Sequence, residues 1–495
     1  MATAETTASG VDLANPHHER RWLILALLGT AQLMVVLDAT VVNIALPSAQ
    51  KALSFSDSNR QWIVTAYSLT FGSLLLLFGR VGDLWGRKRT LMIGLVAFGV
   101  VSAVGGAAQS FGMLVTARAF QGAAGALLAP SALSLLTTTF TEPRERGIAF
   151  GIYGAVAGAG GAVGLLLGGV LTEYLSWRWC LYVNVAIAVP AVFAAMALLT
   201  NQVPPVRPRL DVPGAVAVSL GLFLIVFGFS QAEPRGWTDW ETLGSLIAGV
   251  IILIWFVIIE QRAAHPLLPL RIVLDRNRGG SYLSVLISGA GLFGVFLFLT
   301  YYLQKTLGYS PVTTGLAFLP MVAMIVIGST TSNAVLLPRF GPKPLVPTGM
   351  LLAALGMVVL AQLGVHSTYA GHILPPLLVI GLGLGLIFAP SINTATLGVD
   401  ADDAGVASAT VNSCQQVGGS IGTAFLNTIA TTALTSYLVG KAPTPAVAAQ
   451  AAVHGYTVAF WWAAGIFLLG AVVSGTLLRP GTTAVVGEVQ PAVAV

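Results

Sequence analysis

An all-α membrane fold of fourteen spans is what this sequence predicts, and three observations predict it. Of 495 residues, 56% are hydrophobic and only 9% are charged, where a soluble domain carries roughly 25% charge. The apolar residues fall in long runs of the length a helix needs to cross a bilayer. The few cations gather in the short segments between those runs, so the net charge of +5 does not point to nucleic acid. The only cysteines, Cys180 and Cys414, lie in apolar context and argue against a disulfide framework.

A window of about 19 residues places the spans at 22–47, 61–79, 90–108, 112–139, 147–171, 180–199, 212–231, 242–260, 279–303, 312–335, 345–365, 372–397, 405–437 and 456–478. The first follows Arg20-Arg21, as a secretory signal would. It is too long for one, carries Asp38 and Asn43, and lacks a small-residue cleavage site, so it reads as a retained helix. Spans two and three are joined by the basic, glycine-rich turn Gly79 to Arg89, a tight hairpin at a membrane surface. An even number of spans puts both termini on one side. With that side inside, seventeen cations fall in inner segments and six in outer ones, and Arg118 lies within a span. The asymmetry makes both termini cytoplasmic; the acidic stretch Asp400-Ala401-Asp402-Asp403 is the one inner segment against the trend, and acids count little in that rule.

Two windows repeat. Ala129-Pro130-Ser131, Gly147, Gly160-Gly161 and Gly164 recur as Ala389-Pro390-Ser391, Gly405, Gly418-Gly419 and Gly422, with the glycines at a constant offset of 258 residues. Helices 4–5 thus reappear as helices 12–13, eight helices on. Two six-helix halves with a two-helix hairpin inserted between them satisfy that spacing, and such halves place a substrate site at their interface. The resulting division is a cytoplasmic tail at 1–21, a six-helix bundle at 22–199, a linker with helices 7 and 8 at 200–278, a second bundle at 279–479 and a cytoplasmic tail at 480–495.

Away from the span ends only Asp38 and Arg118 place charge in the hydrocarbon, where charge is costly and marks function. Asp38 lies roughly 25 Å up helix 1 and Arg118 roughly 10 Å down helix 4, so both fall in the outer half of a core about 30 Å thick and can share a cavity. Burial raises a carboxyl's proton affinity and a cation lowers it. A carboxyl moving relative to Arg118 would therefore bind and release a proton; the alternative is a static pair that orients helices 1 and 4. In helix 5, Gly160, Gly161, Gly164, Gly168 and Gly169 form a small-residue face, either for close packing or as a gating surface that slides. Polar and aromatic residues in spans, among them Asn43, Tyr67, Gln121, Tyr301, Gln304 and Asn412, are substrate-cavity candidates and equally helix–helix contacts. A cavity so lined suits amphipathic organic molecules.

The residues also carry a resemblance. The turn Gly79-Arg80-Val81-Gly82-Asp83-Leu84-Trp85-Gly86-Arg87-Lys88-Arg89 resembles the signature between helices 2 and 3 of the major facilitator superfamily. Leu37-Asp38-Ala39-Thr40-Val41-Val42-Asn43-Ile44-Ala45-Leu46-Pro47, Arg118-Ala119-Phe120-Gln121-Gly122, Trp177-Arg178-Trp179 with Asn184, and Tyr302-Leu303-Gln304 with Leu307-Gly308-Tyr309-Ser310 resemble the fourteen-helix drug:proton antiporter branch of that family, over roughly residues 20–480. Gly164-Leu165 departs from the Gly-Pro expected in helix 5, which removes a proline kink. Helix 13 also lacks the membrane carboxylates that some relatives carry there. The resemblance implies the major facilitator fold and a secondary transporter of the plasma membrane that exports amphipathic drugs or antibiotics in exchange for protons. It implies a monomer with no cofactor or metal, and a conformational latch at Gly79, Asp83, Gly86 and Arg87, with Lys88 as a surface anchor. A dedicated exporter of one endogenous metabolite fits the same residues. A membrane enzyme or flippase does not: no paired acids, nucleophile–base set or phosphate-binding loop is visible.

Overall fold

Backbone in hydrocarbon must bond to itself, and each long apolar run does so as helix. The computed structural model describes residues 18–480 except 58, 141, 201–210, 264–265, 397–398, 400–403 and 443. Most of the two tails, the acidic stretch at 400–403, Arg207 and Arg209 therefore lie outside the described residues, as do the side chains of Arg80, Asp83, Arg144 and Arg146. The long helices are α1 (Arg21–Leu53), α2 (Gln61–Trp85), α3 (Arg87–Gly106), α4 (Phe111–Thr139), α5 (Pro143–Tyr174), α6 (Trp179–Leu198), α7 (Val212–Arg235), α8 (Trp240–Arg262), α9 (Arg276–Tyr301), α10 (Pro311–Thr331), α11 (Pro342–Leu360), α12 (Leu374–Thr396), α13 (Ala404–Leu438) and α14 (Pro445–Leu477). Within the described residues eleven are long and apolar enough to cross a membrane; α2, α5 and α13 are the other three. Several run past their predicted ends. α14 begins at Pro445 rather than near 456, because Thr444 caps it and the alanine-rich first turns are helical though not strongly apolar.

The turn between α2 and α3 is a single residue, Gly86, at φ 92°. Only glycine takes that conformation cheaply. Gly79 and Gly82 lie against Pro130 and Ser131 of α4, so the turn packs down on its neighbour. Lys88 donates to the carbonyls of Met196 and Leu199 and so caps the end of α6.

Helices α1–α6 pack chiefly among themselves, α2 on α4, α1 on α5 and α3 on α4 and α6. Helices α9–α14 do likewise, α9 on α13, α10 on α12 and α11 on α12 and α14. The halves meet along α2 with α13 and α5 with α10. The α7–α8 hairpin lies against α2 and α13 at that seam. The repeated glycines occupy equivalent contacts. Gly160, Gly164 and Gly168 of α5 receive Val36, Thr40 and Val41 of α1; Gly418 and Gly422 of α13 receive Leu286 and Ala290 of α9.

The glycine face of α5 is two stripes. Gly160, Gly164 and Gly168 pack on α1 inside the first half, whereas Gly169 meets the backbone of Pro311 and Val312 on α10 across the seam, and Gly161 touches nothing. α5 runs unbroken from Pro143 to Tyr174, in keeping with the missing proline. Gly168→Val is expected to drive its side chain into the backbone of Val41 and cost about 1–3 kcal/mol. Thermal denaturation in detergent would show a lowered midpoint, with Gly161→Ala unchanged.

Candidate functional site

A charge held away from water must be met by fixed donors, and the first half is built around one such charge. Asp38 of α1 is fully buried and Arg118 of α4 is 2% exposed. Arg118 Nη1 donates to Asp38 Oδ2 at 2.6 Å and to Gln121 Oε1 at 2.7 Å. Asp38 Oδ1 accepts from Gln121 Nε2 at 2.7 Å and from Asn184 Nδ2 of α6 at 2.8 Å. Gln121 Nε2 also reaches Ser102 Oγ of α3 at 2.8 Å. Arg118 Nε donates to the Ile63 carbonyl of α2, and the guanidinium lies 4.3 Å from the Tyr67 ring centroid. Five helices thus meet at one carboxylate.

The sequence places Asp38 and Arg118 at a common depth, and they form an ion pair. Depth alone would let them share a cavity. Instead, every partner of Asp38 belongs to the first half and encloses it, and a small apolar cavity between Val42, Ile63, Leu114 and Trp177 borders only Arg118. All partners of Asp38 are donors, the arrangement that suits an ionised carboxylate. Asn184 Oδ1 has no donor, and neither does the Tyr67 hydroxyl have a partner.

The other named residues are dispersed. Gln121 and Tyr67 belong to this network, while Asn43 donates to Ala39 in its own helix and Asn412 is exposed and donates to Ser408. Tyr301 and Gln304 lie at the seam, in a second polar cluster that the sequence did not announce. It sits at the end of the molecule bearing the α1–α2 and α9–α10 connections, called distal here. A wide helical turn at Tyr302–Thr306 extends α9 and presents Gln304 and Lys305 to the first half. Gln304 donates to the Ile44 carbonyl and Lys305 to Gln50 Oε1. Asp57, in the α1–α2 connection, lies 3.5 Å from Arg60 and 3.6 Å from Lys305. Arg60, 3% exposed, donates to Asn427 of α13 at 2.9 Å and lies 4.4 Å from the Tyr301 ring centroid, with Phe298 and Tyr456 flanking it. One cation of the first half is therefore seated in an aromatic cage of the second. Nearby, Glu173 of α5 accepts from the backbone N–H of Val312. Residues up to 370 positions apart make these contacts, so no spacing could have signalled them.

The predicted latch falls partly outside the described residues, since the side chain of Asp83 is among those not described. The sequence also showed no paired acids. The fold makes one: Asp211, which caps α7, and Glu260, in the last turn of α8, meet beside Gly214. The two were missed because they are 49 positions apart and each reads alone as a span-end charge. Among the described residues there is no cluster of metal-ligating side chains.

A family model described as the Major Facilitator Superfamily matches residues 28–423. The chain is 50% identical over 467 residues to the puromycin resistance protein pur8 of Streptomyces alboniger, which spans 94% of this chain and 93% of that one. It is 41% identical over 408 residues to the cephamycin export protein CmcT of Amycolatopsis lactamdurans, covering 82% and 84% of the two chains. Among solved structures it superposes with a TM-score of 0.65 on a bacterial homolog to the human lysosomal transporter Spinster in an inward-facing and occupied conformation, at 15% identity over 92% of this chain and 96% of that one. That likeness speaks to the fold alone.

The distal cluster has a pH dependence with a definite sign. Burial would raise the Asp57 carboxyl, but Arg60, Gln50 and Lys305 outweigh it and hold it below the ordinary carboxylate range. The seam contact it makes is present at neutral pH and is lost as pH falls through that lowered value. In a protein otherwise free of cysteine, a thiol placed at Leu303, which is buried, is expected to resist an impermeant reagent at neutral pH. Asp57→Asn should increase its labelling at neutral pH.

Proposed function

The chain belongs to the Major Facilitator Superfamily, and on that premise we propose that it exports amphipathic drugs or antibiotics across the plasma membrane in exchange for protons. It is a multi-pass membrane transporter and not an enzyme. The antibiotic-export relatives support the substrate class. The positive-inside count supports termini in the cytoplasm, which makes the distal end extracellular. The chain acts as a monomer, each copy carrying both halves of its own seam.

The observation that carries proton coupling is the enclosed carboxylate of Asp38, bound only by donors. An ionised acid so held keeps five helices in one arrangement. A proton arriving there cancels the charge and removes the reason for Arg118 Nη1 to face Oδ2. The neutral acid needs an acceptor for its O–H, and the unpaired Asn184 Oδ1 supplies one once its amide turns over. Gln121 is the poorer candidate, because turning its amide would sacrifice its bonds to Arg118 and Ser102. Protonation would therefore exchange one set of bonds for another within the first half and shift the balance between seam-closed and seam-open states. The distal cluster and the backbone contacts of Gly169 with α10 hold the extracellular side shut, leaving loading from the cytoplasm. Gly79, Asp83, Gly86 and Arg87 form the latch on the cytoplasmic side. Tyr301, Gln304, Asn43 and Asn412 line the substrate path in the states that separate the halves.

A dedicated exporter of one endogenous metabolite is the second reading, supported by two relatives named for puromycin resistance and for cephamycin export. Tolerance profiling in a pump-deficient host separates the two: resistance to one compound class supports the dedicated exporter, resistance to many unrelated amphiphiles the broad one.

Inside-out vesicles test the coupling. Uptake of a responsive drug is expected to require an acidic interior and to collapse when the proton gradient is dissipated. Asp38→Asn is expected to reach the membrane in normal amount and lose gradient-driven uptake to the vesicle background. Full gradient-driven uptake in that variant would overturn the assignment.

A further inference from the structure

The inserted hairpin has no role in the scheme above, and its cytoplasmic base holds an arrangement that ordinary pairing does not explain. Asp211 precedes α7 and its Oδ1 accepts from the backbone N–H of Gly214 at 3.0 Å. Glu260, 4% exposed, closes α8, and its Oε2 accepts from the backbone N–H of Leu268 at 3.0 Å. The remaining oxygens, Asp211 Oδ2 and Glu260 Oε1, are buried and find no donor. Both crowd the space beside Gly214 that a methyl group would fill, within hydrogen-bond reach of each other. Two acceptors pressed together out of water repel unless something lies between them.

We propose that Asp211 and Glu260 hold one proton between them and form a proton-binding site at the base of the α7–α8 hairpin, distinct from Asp38. With the proton bound, one acid donates to the other carboxylate, both orphan oxygens are satisfied, and the pair carries a single negative charge. When the proton leaves to cytoplasmic water, two like charges face each other in a dry site. Among the described residues the charged surroundings do not relieve this; the side chains of Arg80 and Asp83 on α2, and Asp400, Asp402 and Asp403 before α13, lie outside them. Neither acid has a cation partner among the described residues, and Arg262, two positions beyond Glu260, is exposed. Arg271 follows in the next segment, while Arg207, Arg209 and His265 lie outside the described residues.

The place of the site gives the proton a mechanical consequence. Glu260 ties α8 to the segment leading into the second half through the N–H of Leu268. Leu267 in that segment packs with Ala215, Val218 and Phe256 of the hairpin, and Leu77 of α2 and Ala409 of α13 close on the same cluster. Loss of the proton therefore loosens the contact between the hairpin and both halves.

The folded state binds this proton more tightly than the unfolded chain does. Its stabilisation is thus present at low pH and lost as pH rises through the titration of the pair. For the purified full-length protein, the melting temperature should fall as pH rises from the ordinary carboxylate range through neutrality, and infrared difference spectra over that interval should show a protonated carboxyl band disappearing. Glu260→Gln keeps the shape and donates its amide permanently, so it should flatten the melting profile and remove the band; Asp211→Asn, which still caps α7, should do the same. Both wild-type signals should persist in Asp38→Asn, which separates this site from the coupling acid. An unchanged slope and band in Glu260→Gln and Asp211→Asn would overturn the proposal. So would flattening by His265→Ala but not by Glu260→Gln, since the titrating group would then be the imidazole. Should a substituted protein fail to fold, absence of the band from Asp38→Asn alone would also reject the pair.

Discussion

The rest of the first half depends on one carboxylate in oil. An isolated charge there costs several kcal/mol or more, so its neighbours must be fixed to receive it. Asp38 recruits Arg118 and Gln121 from α4 and Asn184 from α6; Arg118 in turn fixes the Ile63 carbonyl of α2, and Gln121 fixes Ser102 of α3. Helices that already share an apolar cluster are thereby held in register by one charge. Among the described residues, α5 alone of the six contributes nothing to this network. It meets α1 through glycines and reaches α10 with its distal turns, so the helix that contacts the opposite half is the one not pinned by the buried charge.

The seam between the halves uses different chemistry for that reason. Glycines let the backbones of α5 and α10 touch, while charged groups at the distal rim add register and little net energy. Exposed ion pairs are worth about 0–1 kcal/mol each. Arg60 is the exception, since it is buried among Tyr301, Phe298 and Tyr456 and bonded to Asn427. A seam of this kind closes through one caged cation, many weak contacts and an apolar cluster with members in both halves, among them Leu46, Leu165, Tyr301 and Leu303.

Much of this was legible in the sequence where the signal is local. Apolar length gave the fourteen helices, and Gly86 with its flanking cations gave the hairpin turn. A constant offset between glycines points to two halves, because close packing at equivalent places demands the same small residue twice. The rarity of charge singled out Asp38 and Arg118. What sequence could not supply was direction. Gly160 and Gly169 stand on one helix but face different partners, and Gln121 offered no sign that it would serve the carboxylate rather than a cavity. Arg60 read as an ordinary cation at a span end; only the return of α9 and α13 beside it makes it a bridge. Asp211 and Glu260 escaped for the same reason, each being unremarkable until the hairpin folds them together.

The hairpin itself is best understood from what it touches. α8 turns Ile247, Ile251, Ile254 and Trp255 outward, as a lipid-facing helix must. α7 faces inward and bonds to both halves: Ser219 donates to the Ser73 carbonyl of α2, and Thr428 of α13 donates to the Phe229 carbonyl of α7. Phe227 packs on Trp62 of α2, and Phe229 on Phe425 of α13. These are single hydroxyl bonds and ring contacts, which re-form after a small slide, rather than backbone interlocks of the kind glycine permits. α2 and α13 meet across the seam, so any movement that separates them must shear the hairpin's contacts with one of them. A strap attached to both sides of a moving seam biases its equilibrium by the difference in contact energy between the two states. The state of the acids at its base sets how tightly that strap is held.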